Sequence, residues 1–363
     1  MIMLKLSYIT RTNISSQAAQ AKQIKSMSMA FYNELKDNFE LVCPGDKDTV
    51  VDFSWNRVSP AHNKWTIYLI IIWKAIKRTV IESQVIFTRD ILISMVVVLF
   101  GGRSIYEAHK EPKGKIAFFF FVLLCKSKNF KIVAISQALS NYYIYSFNIN
   151  KKYILTAHDG VFLNKYDKLR KIPKKQFRKE LNLPIDKTIV VHTGSLYKGN
   201  DAKLFKGIVS NFKDMLFVQV GGSSVDINRY KKYYRGFDNI LFIPHQGNDT
   251  VLEYQMSADL LFYALTKEND LWWCTSPLKV FEYMATGIPM LASNIGSVSE
   301  VLNNKNSIPF CPKTKESVVN GVNYFLNNKE SVNTIAKQAL KDVSNKYTWN
   351  IRVKSVCNFI NRI

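Results

Sequence analysis

The amino-acid sequence predicts an α/β protein of two doubly wound, Rossmann-like parallel-sheet domains facing a central cleft. Three observations carry that expectation. Short apolar strands alternate with segments long enough for crossover helices, the alternation breaks at a charged, proline-marked stretch, and it then starts again. At 363 residues the chain is too long for one ordinary core and suits two domains of roughly 150 to 200 residues.

The first strand is expected over 4–9; a polar loop, Thr10 to Ser16, leads from it into a helix from about residue 17 to 35. Further strands are read at 39–42, 85–87, 104–107 and 131–135. Between about 164 and 187 the chain turns polar and charged, with Pro173 and Pro184, and the domain boundary is placed there. The pattern restarts with strands at 188–192, 216–220, 240–243, 260–263 and 290–292. The expected domains are 1–165, completed by a C-terminal helix at 346–363, and 175–345.

An apolar fraction of 47% and an aromatic content of 13% are those of a globular protein rather than a disordered chain. Five scattered cysteines lack the close pairing of zinc or redox motifs, which points to a reducing cytoplasm. The N-terminal run lacks a signal-peptide cleavage pattern, so secretion is not expected. Three apolar runs, 65–73, 91–100 and 116–125, are each about half the roughly 20 residues that span a bilayer. They read as buried elements, with one able to dip into a membrane surface. The formal net charge of +22 attracts polyanions, anionic lipids or phosphorylated substrates without choosing among them.

The most informative stretch is Thr275 to Pro289, which carries its own helix punctuation: Ser276 as cap, Pro277 as first helical residue, Gly287 at the exit. Lys279 falls in the first turn, where the helix dipole disfavours a cation unless an anion is bound there. Glu282, one turn on, can accept hydrogen bonds from ribose hydroxyls. A competing reading makes Lys279 and Glu282 a solvated i,i+3 pair worth about 0.2–0.5 kcal/mol. The loop His192 to Asn200 follows a strand, with Gly194 and Gly199 allowing close backbone approach and Lys198 offering a point charge for a diphosphate. In the first half, His109 closes a strand, where doubly wound folds place ligand-binding residues. Arg89 and Asp90 close another, and read either as a cleft-facing cation site or as a surface ion pair.

These residues together resemble family 4 of the retaining glycosyltransferases, of the GT-B fold (glycosyltransferases group 1), most strongly over about 188–301. Gly194, Leu196, Lys198 and Gly199 match the family loop that sets a basic residue on the donor diphosphate; Ser195 stands where an arginine is frequent. Glu282, Met284, Ala285, Gly287 and Pro289 match the family helix whose glutamate binds ribose. Cys274 stands in place of the first glutamate of the family pair, and Ser276-Pro277-Leu278-Lys279 fits a variant in which backbone amides and the lysine face the phosphates, implying donor contacts from Ser276, Leu278, Lys279 and Val280. Residues 157–161 and 294–300 resemble the family's junction segment and a post-strand loop. The resemblance gives His109 a hydrogen bond to the transferred sugar and sets Asn13 and Ser16 at the acceptor, in a first loop without the glycine pair of many relatives; Arg89, in its cleft-facing reading, adds an acceptor contact from its strand end.

What the resemblance implies is retaining transfer from a nucleotide-sugar to a saccharide or lipid-linked acceptor, with His109, Lys198 and Glu282 as the catalytic group. No resident cofactor or metal is expected, since no Asp-x-Asp motif is present. A composition rich in Lys, Asn and Ile fits a bacterial surface-polysaccharide enzyme of the capsule, O-antigen or lipopolysaccharide type. The expected location is the cytoplasm, peripheral on the inner face of the plasma membrane, with Lys110, Lys113, Lys115, Lys126, Lys128 and Lys131 flanking the Phe118–Phe121 run as an anionic-membrane contact. Two other classes compete. One is a non-catalytic sugar- or lipid-binding relative, favoured by the missing glutamate and arginine. The other is a nucleic-acid binder, disfavoured because no helix-turn-helix, zinc-finger or RNP pattern is present.

Overall fold

The computed structural model describes residues 4–16, 18–61, 63–196 and 202–362. Within them the chain forms two compact units, 1–159 with 349–363, and 160–348. The fold class is the two-domain α/β arrangement expected from the sequence.

Unit 1 runs β1 (Leu6–Ile9), α1 (Ala19–Leu35), β2 (Phe39–Pro44), β3 (Trp55–Val58), α2 (Lys64–Val80), β4 (Val85–Thr88), α3 (Ile91–Leu99), β5 (Ser104–Ala108), α4 (Lys115–Cys125), β6 (Phe130–Ala134), α5 (Gln137–Phe147) and β7 (Ile154–Thr156). Its seven strands are ordered β3-β2-β1-β4-β5-β6-β7, all paired in parallel. Strand order reverses between β1 and β4, and that reversal opens a crevice outside the carboxyl ends of those strands. Right-handed crossovers set α2, α3 and α4 on one face and α1 on the other. The strands β1, β2, β4, β5 and β6 are buried along their whole length or nearly so, as a sheet covered on both faces requires.

Unit 2 contains α6 (Leu163–Leu169), α7 (Lys174–Glu180), β8 (Ile189–Thr193), α8 (Ala202–Val209), β9 (Leu216–Val220), α9 (Ser224–Tyr233), β10 (Ile240–Ile243), α10 (Asn248–Ser257), β11 (Leu260–Tyr263), α11 (Leu278–Thr286), β12 (Met290–Ser293), β13 (Ile308–Phe310), α12 (Lys315–Asn327) and α13 (Lys329–Lys346). The parallel order β10-β9-β8-β11-β12-β13 reverses between β8 and β11. The last helix, α14 (Trp349–Asn361), packs on α1 in unit 1 through its buried face, which includes Trp349, Val353, Val356 and Ile360.

The charged segment 164–187 is structured. It forms α6 and α7, whose buried residues are Tyr166, Phe177 and Arg178, and the junction between units lies upstream, at Asp159–Gly160. The three apolar runs are helices α2, α3 and α4, and no helix among the described residues is long and apolar enough to cross a membrane.

Candidate active site

In unit 2 the strand reversal sets the end of β8 beside the loop that leaves β11. The β8 end bears Thr193, Gly194 and Ser195; the loop runs through Cys274 and Ser276 into α11. Two contacts fix their geometry. The Tyr283 hydroxyl, fully buried on α11, accepts from the Thr193 amide at 2.8 Å and lies 3.0 Å from the Thr193 hydroxyl. Gly194, at φ +126, leaves room for the Lys279 side chain: a Cβ there would collide with Nζ and stand 2.9 Å from Cε. Gly221, at φ +109, closes under the same turn, where a Cβ would sit 2.7 Å from the Gly194 carbonyl oxygen.

Two glycine-specific conformations therefore hold the Gly194 backbone against an ammonium 85 residues away in sequence. Gly194→Ala is expected to lower stability by about 1–3 kcal/mol through positive-φ strain alone, and urea unfolding measures it.

Helix α11 begins one residue later than the sequence suggests. Pro277 is the cap, Ser276 is buried, and Leu278 is the first helical residue. Pro277 offers no side-chain cap, and the Val280 amide donates to the Pro277 carbonyl at 3.0 Å. The Leu278 and Lys279 amides open the first turn without partners inside the helix. Gly287 ends it in the left-handed conformation, φ 73. Burial pushes the Lys279 ammonium down to about 8, against the opposing pull of Glu282. A cation weakened by burial at the positive end of a helix is a local imbalance that a bound anion would relieve.

Glu282 is partly exposed one turn further on, while Val280 is buried. Cys274 is buried, and the 294–300 loop is anchored next to it: Ser297 donates to the Thr275 carbonyl at 2.5 Å, and Gly296 allows the Trp272 carbonyl to approach where a Cβ would not fit. His192, fully buried on β8, hydrogen-bonds Gln219 through Nδ1, and burial with Lys279 nearby holds it neutral, at about 3. Lys198 and Gly199 lie outside the described residues.

In unit 1 the strand reversal collects the other candidates at the ends of the adjacent strands β1, β4 and β5. Asn13 and Ser16 form a self-contained turn, in which Asn13 Oδ1 accepts from the Ser15 amide at 2.8 Å and the Ser16 hydroxyl donates to the Asn13 carbonyl at 3.0 Å. Asp90 is committed to capping α3 and to an ion pair with Arg11. Arg89 makes no surface ion pair. Its side chain is 10% exposed, and Nε donates to Glu107 Oε2 at 2.7 Å, while buried Nη2 has no partner. His109 Nε2 stands 3.2 Å from the same Glu107 oxygen without hydrogen-bond alignment. Burial and Arg89 hold the imidazole below its ordinary value, hence neutral, despite Glu107.

Glu107, which the sequence reading passed over, is the centre of this group. It is fully buried and accepts from Arg89, from Tyr8 at 3.0 Å and from Arg352 Nη2 at 2.6 Å. Burial by itself raises its carboxyl, yet the Arg89 and Arg352 guanidiniums hold it well below the usual carboxylate range. Arg352, on α14, also donates to the Ala157 carbonyl and stands 3.5 Å from Asp159, whose carboxylate accepts from Gln23 at 3.0 Å. Two carboxylates thus balance two guanidiniums in a dry interior. A glutamate inside an apolar strand was the one signal that could have exposed this cluster, since buried acids are rarely unpaired.

The comparisons with known proteins bear on unit 2 first. Residues 173–342 match the family Glycosyl transferases group 1. An uncharacterized glycosyltransferase of Methanocaldococcus jannaschii is 23% identical over 235 residues, 63% of this chain and 59% of that protein, so the chain spans less than two thirds of that relative's length. Among solved structures, a glycosyltransferase from Rickettsia africae superposes with a TM-score of 0.77 at 14% identity, over the whole of both chains. Anabaena HepE, solved in complex with UDP-glucose, gives 0.76 at 12% identity over 99% of this chain and 100% of that one. At such identity these are likenesses of fold, and the fold is GT-B.

Proposed function

We propose that this chain is a retaining glycosyltransferase of family 4, which moves a hexosyl group from a nucleoside diphosphate sugar to a saccharide or lipid-linked saccharide in bacterial surface-polysaccharide synthesis. The observation that carries the reading is the Lys279 ammonium, weakened by burial, held against Gly194 at the start of α11. Burial disfavours that charge by more than Glu282 and the Tyr263 ring favour it, and a bound diphosphate would make up the difference. HepE is solved with UDP-glucose, and donor chemistry of that kind is proposed here.

In this reading Lys279, the first-turn amides of Leu278 and Lys279, and the Gly194–Ser195 backbone receive the diphosphate, with Ser276 and Val280 shaping the helix start and Lys198 adding a second cation. Glu282 holds the ribose. The neutral His109 hydrogen-bonds the transferred sugar, and Asn13, Ser16 and the unpartnered Nη2 of Arg89 hold the acceptor. The anomeric carbon–diphosphate bond breaks as the acceptor oxygen bonds to the same face, and the acceptor proton passes to the departing diphosphate. Stabilising that leaving charge is the protein's main work. Metal independence is part of the proposal.

Titration with UDP, GDP and their sugar conjugates tests it. One base is expected to raise the melting temperature in proportion to ligand over Kd, and Glu282→Ala is expected to weaken that binding about tenfold to a hundredfold, the loss of one or two hydrogen bonds to ribose. No response to any nucleotide would instead favour a non-catalytic binding protein.

A further inference from the structure

A surface helix in a soluble protein keeps a polar outer face, and three adjacent helices of unit 1 do not. On α2, Trp65, Leu69 and Trp73 follow one another at i, i+4 and i+8 and are 79%, 67% and 61% exposed, while Ile71, Ala75 and Thr79 bury the inner side. Helix α3 packs between α2 and α4 and leaves Leu99 and Phe100 in solvent at its end. On α4, Ile116, Phe119 and Leu123 form a second outer stripe, with Phe118 also exposed. Monomers rarely expose so many large apolar side chains on one layer without a partner.

The charges around these stripes say which partner. Exposed cations bracket α2 and α4 and follow α3: Lys64 and Lys77 on α2, Arg103 after α3, Lys113 and Lys115 at the start of α4, and Lys126 and Lys128 beyond it. The carboxylates of the same region are Glu82, Asp90, Glu107 and Glu111, and of these Asp90 and Glu107 are spent on internal ion pairs. Indole and aliphatic groups between lysines suit the boundary between acyl chains and anionic headgroups, where an apolar face inserts shallowly and cations stay at the phosphates. A second copy of this chain would bring the same cations against themselves.

We propose that the α2–α3–α4 face of unit 1 is a docking surface for an anionic lipid bilayer, with Trp65, Leu69 and Trp73 as its insertion edge and the bracketing lysines as its headgroup contacts. Attachment does not require the donor site, and its test is separate from transfer.

Full-length protein is floated with vesicles of phosphatidylcholine alone and of phosphatidylcholine mixed with phosphatidylglycerol. Binding to the mixed vesicles is expected, with a blue shift of tryptophan emission. Trp65→Gln/Leu69→Gln/Trp73→Gln is expected to weaken it at least tenfold, and each replacement among Lys113, Lys115, Lys126 and Lys128 by Gln to weaken it about fivefold. Circular dichroism and melting temperature unchanged from wild type show that the variants are folded. No binding to mixed vesicles, equal binding to both kinds, or undiminished binding by the triple variant overturns the proposal. So does a wild-type dimer that the triple variant converts to monomer, since the face would then cover another copy.

Discussion

Arg352→Met is expected to cost about 3–5 kcal/mol, because removing one partner of a buried ion pair strands the other charge in a dry interior. The guanidinium serves Glu107, the Ala157 carbonyl and Asp159 together, and its own side chain is 2% exposed. Lysine cannot replace it: an ammonium is a point donor, and three partners in a fork need the planar group. Arg352→Lys should therefore recover only part of the loss. Glu107→Gln combined with Arg352→Met should cost less than the sum of the two, since loss of the one Glu107–Arg352 pair is counted in both single changes. Urea unfolding measures all three, and a loss under about 1 kcal/mol for Arg352→Met would mean that the network does not hold α14 to its unit.

The same cluster fixes a pH dependence. The folded Glu107 carboxyl lies below its unfolded value, so between the two the unfolded chain binds more protons. Its stabilising contribution is complete above the ordinary glutamate range and is lost as pH falls toward the folded value. Arg352→Met should shrink that acid-side loss, since one of the groups that depress the carboxyl is gone.

How far the sequence reveals this structure depends on how local each feature is. Central strands such as Leu216–Val220 and Leu260–Tyr263 are continuous apolar runs between turn signals, and their positions match those read from sequence. The missed strands are edges or nearly so: Trp55–Val58 is polar and half exposed, Ile154–Thr156 has three residues, and Ile308–Phe310 contains Pro309. Short, polar and proline-bearing edges are how sheets avoid pairing with other chains, and those properties also erase the alternation that marks a strand.

The site divides in the same way. Helix α11 is legible because its start, apolar face and glycine exit lie within a dozen residues. The Gly194–Lys279 approach depends on two loops meeting at a strand reversal, and Glu107–Arg352 joins residues 245 apart. No local pattern carries such pairings, so Arg352 read only as part of a terminal helix.

Lys279→Ala offers the other large effect, and it separates a functional lysine from a structural one by sign. A structural lysine paired with Glu282 would stabilise the unliganded protein, so its loss would lower the melting temperature. Here burial outweighs Glu282 and depresses the ammonium to about 8, so the charged form is worse off folded than unfolded. Between that value and the ordinary lysine value the unfolded chain binds more protons, and stability rises with pH across the window. Removing the charge should therefore raise the unliganded melting temperature at pH 7 and flatten that rise. It should also cut kcat/KM for the nucleotide-sugar by about a hundredfold to a thousandfold, the usual effect of losing one preorganised group that meets developing charge. Because a bound diphosphate favours the ammonium, binding should take up a proton near pH 8, and wild-type affinity should fall as pH rises through that value. Calorimetry in buffers of different ionisation enthalpy reads the proton directly. A variant that melts lower than wild type and keeps its nucleotide affinity would return Lys279 to the role of a structural ion-pair partner.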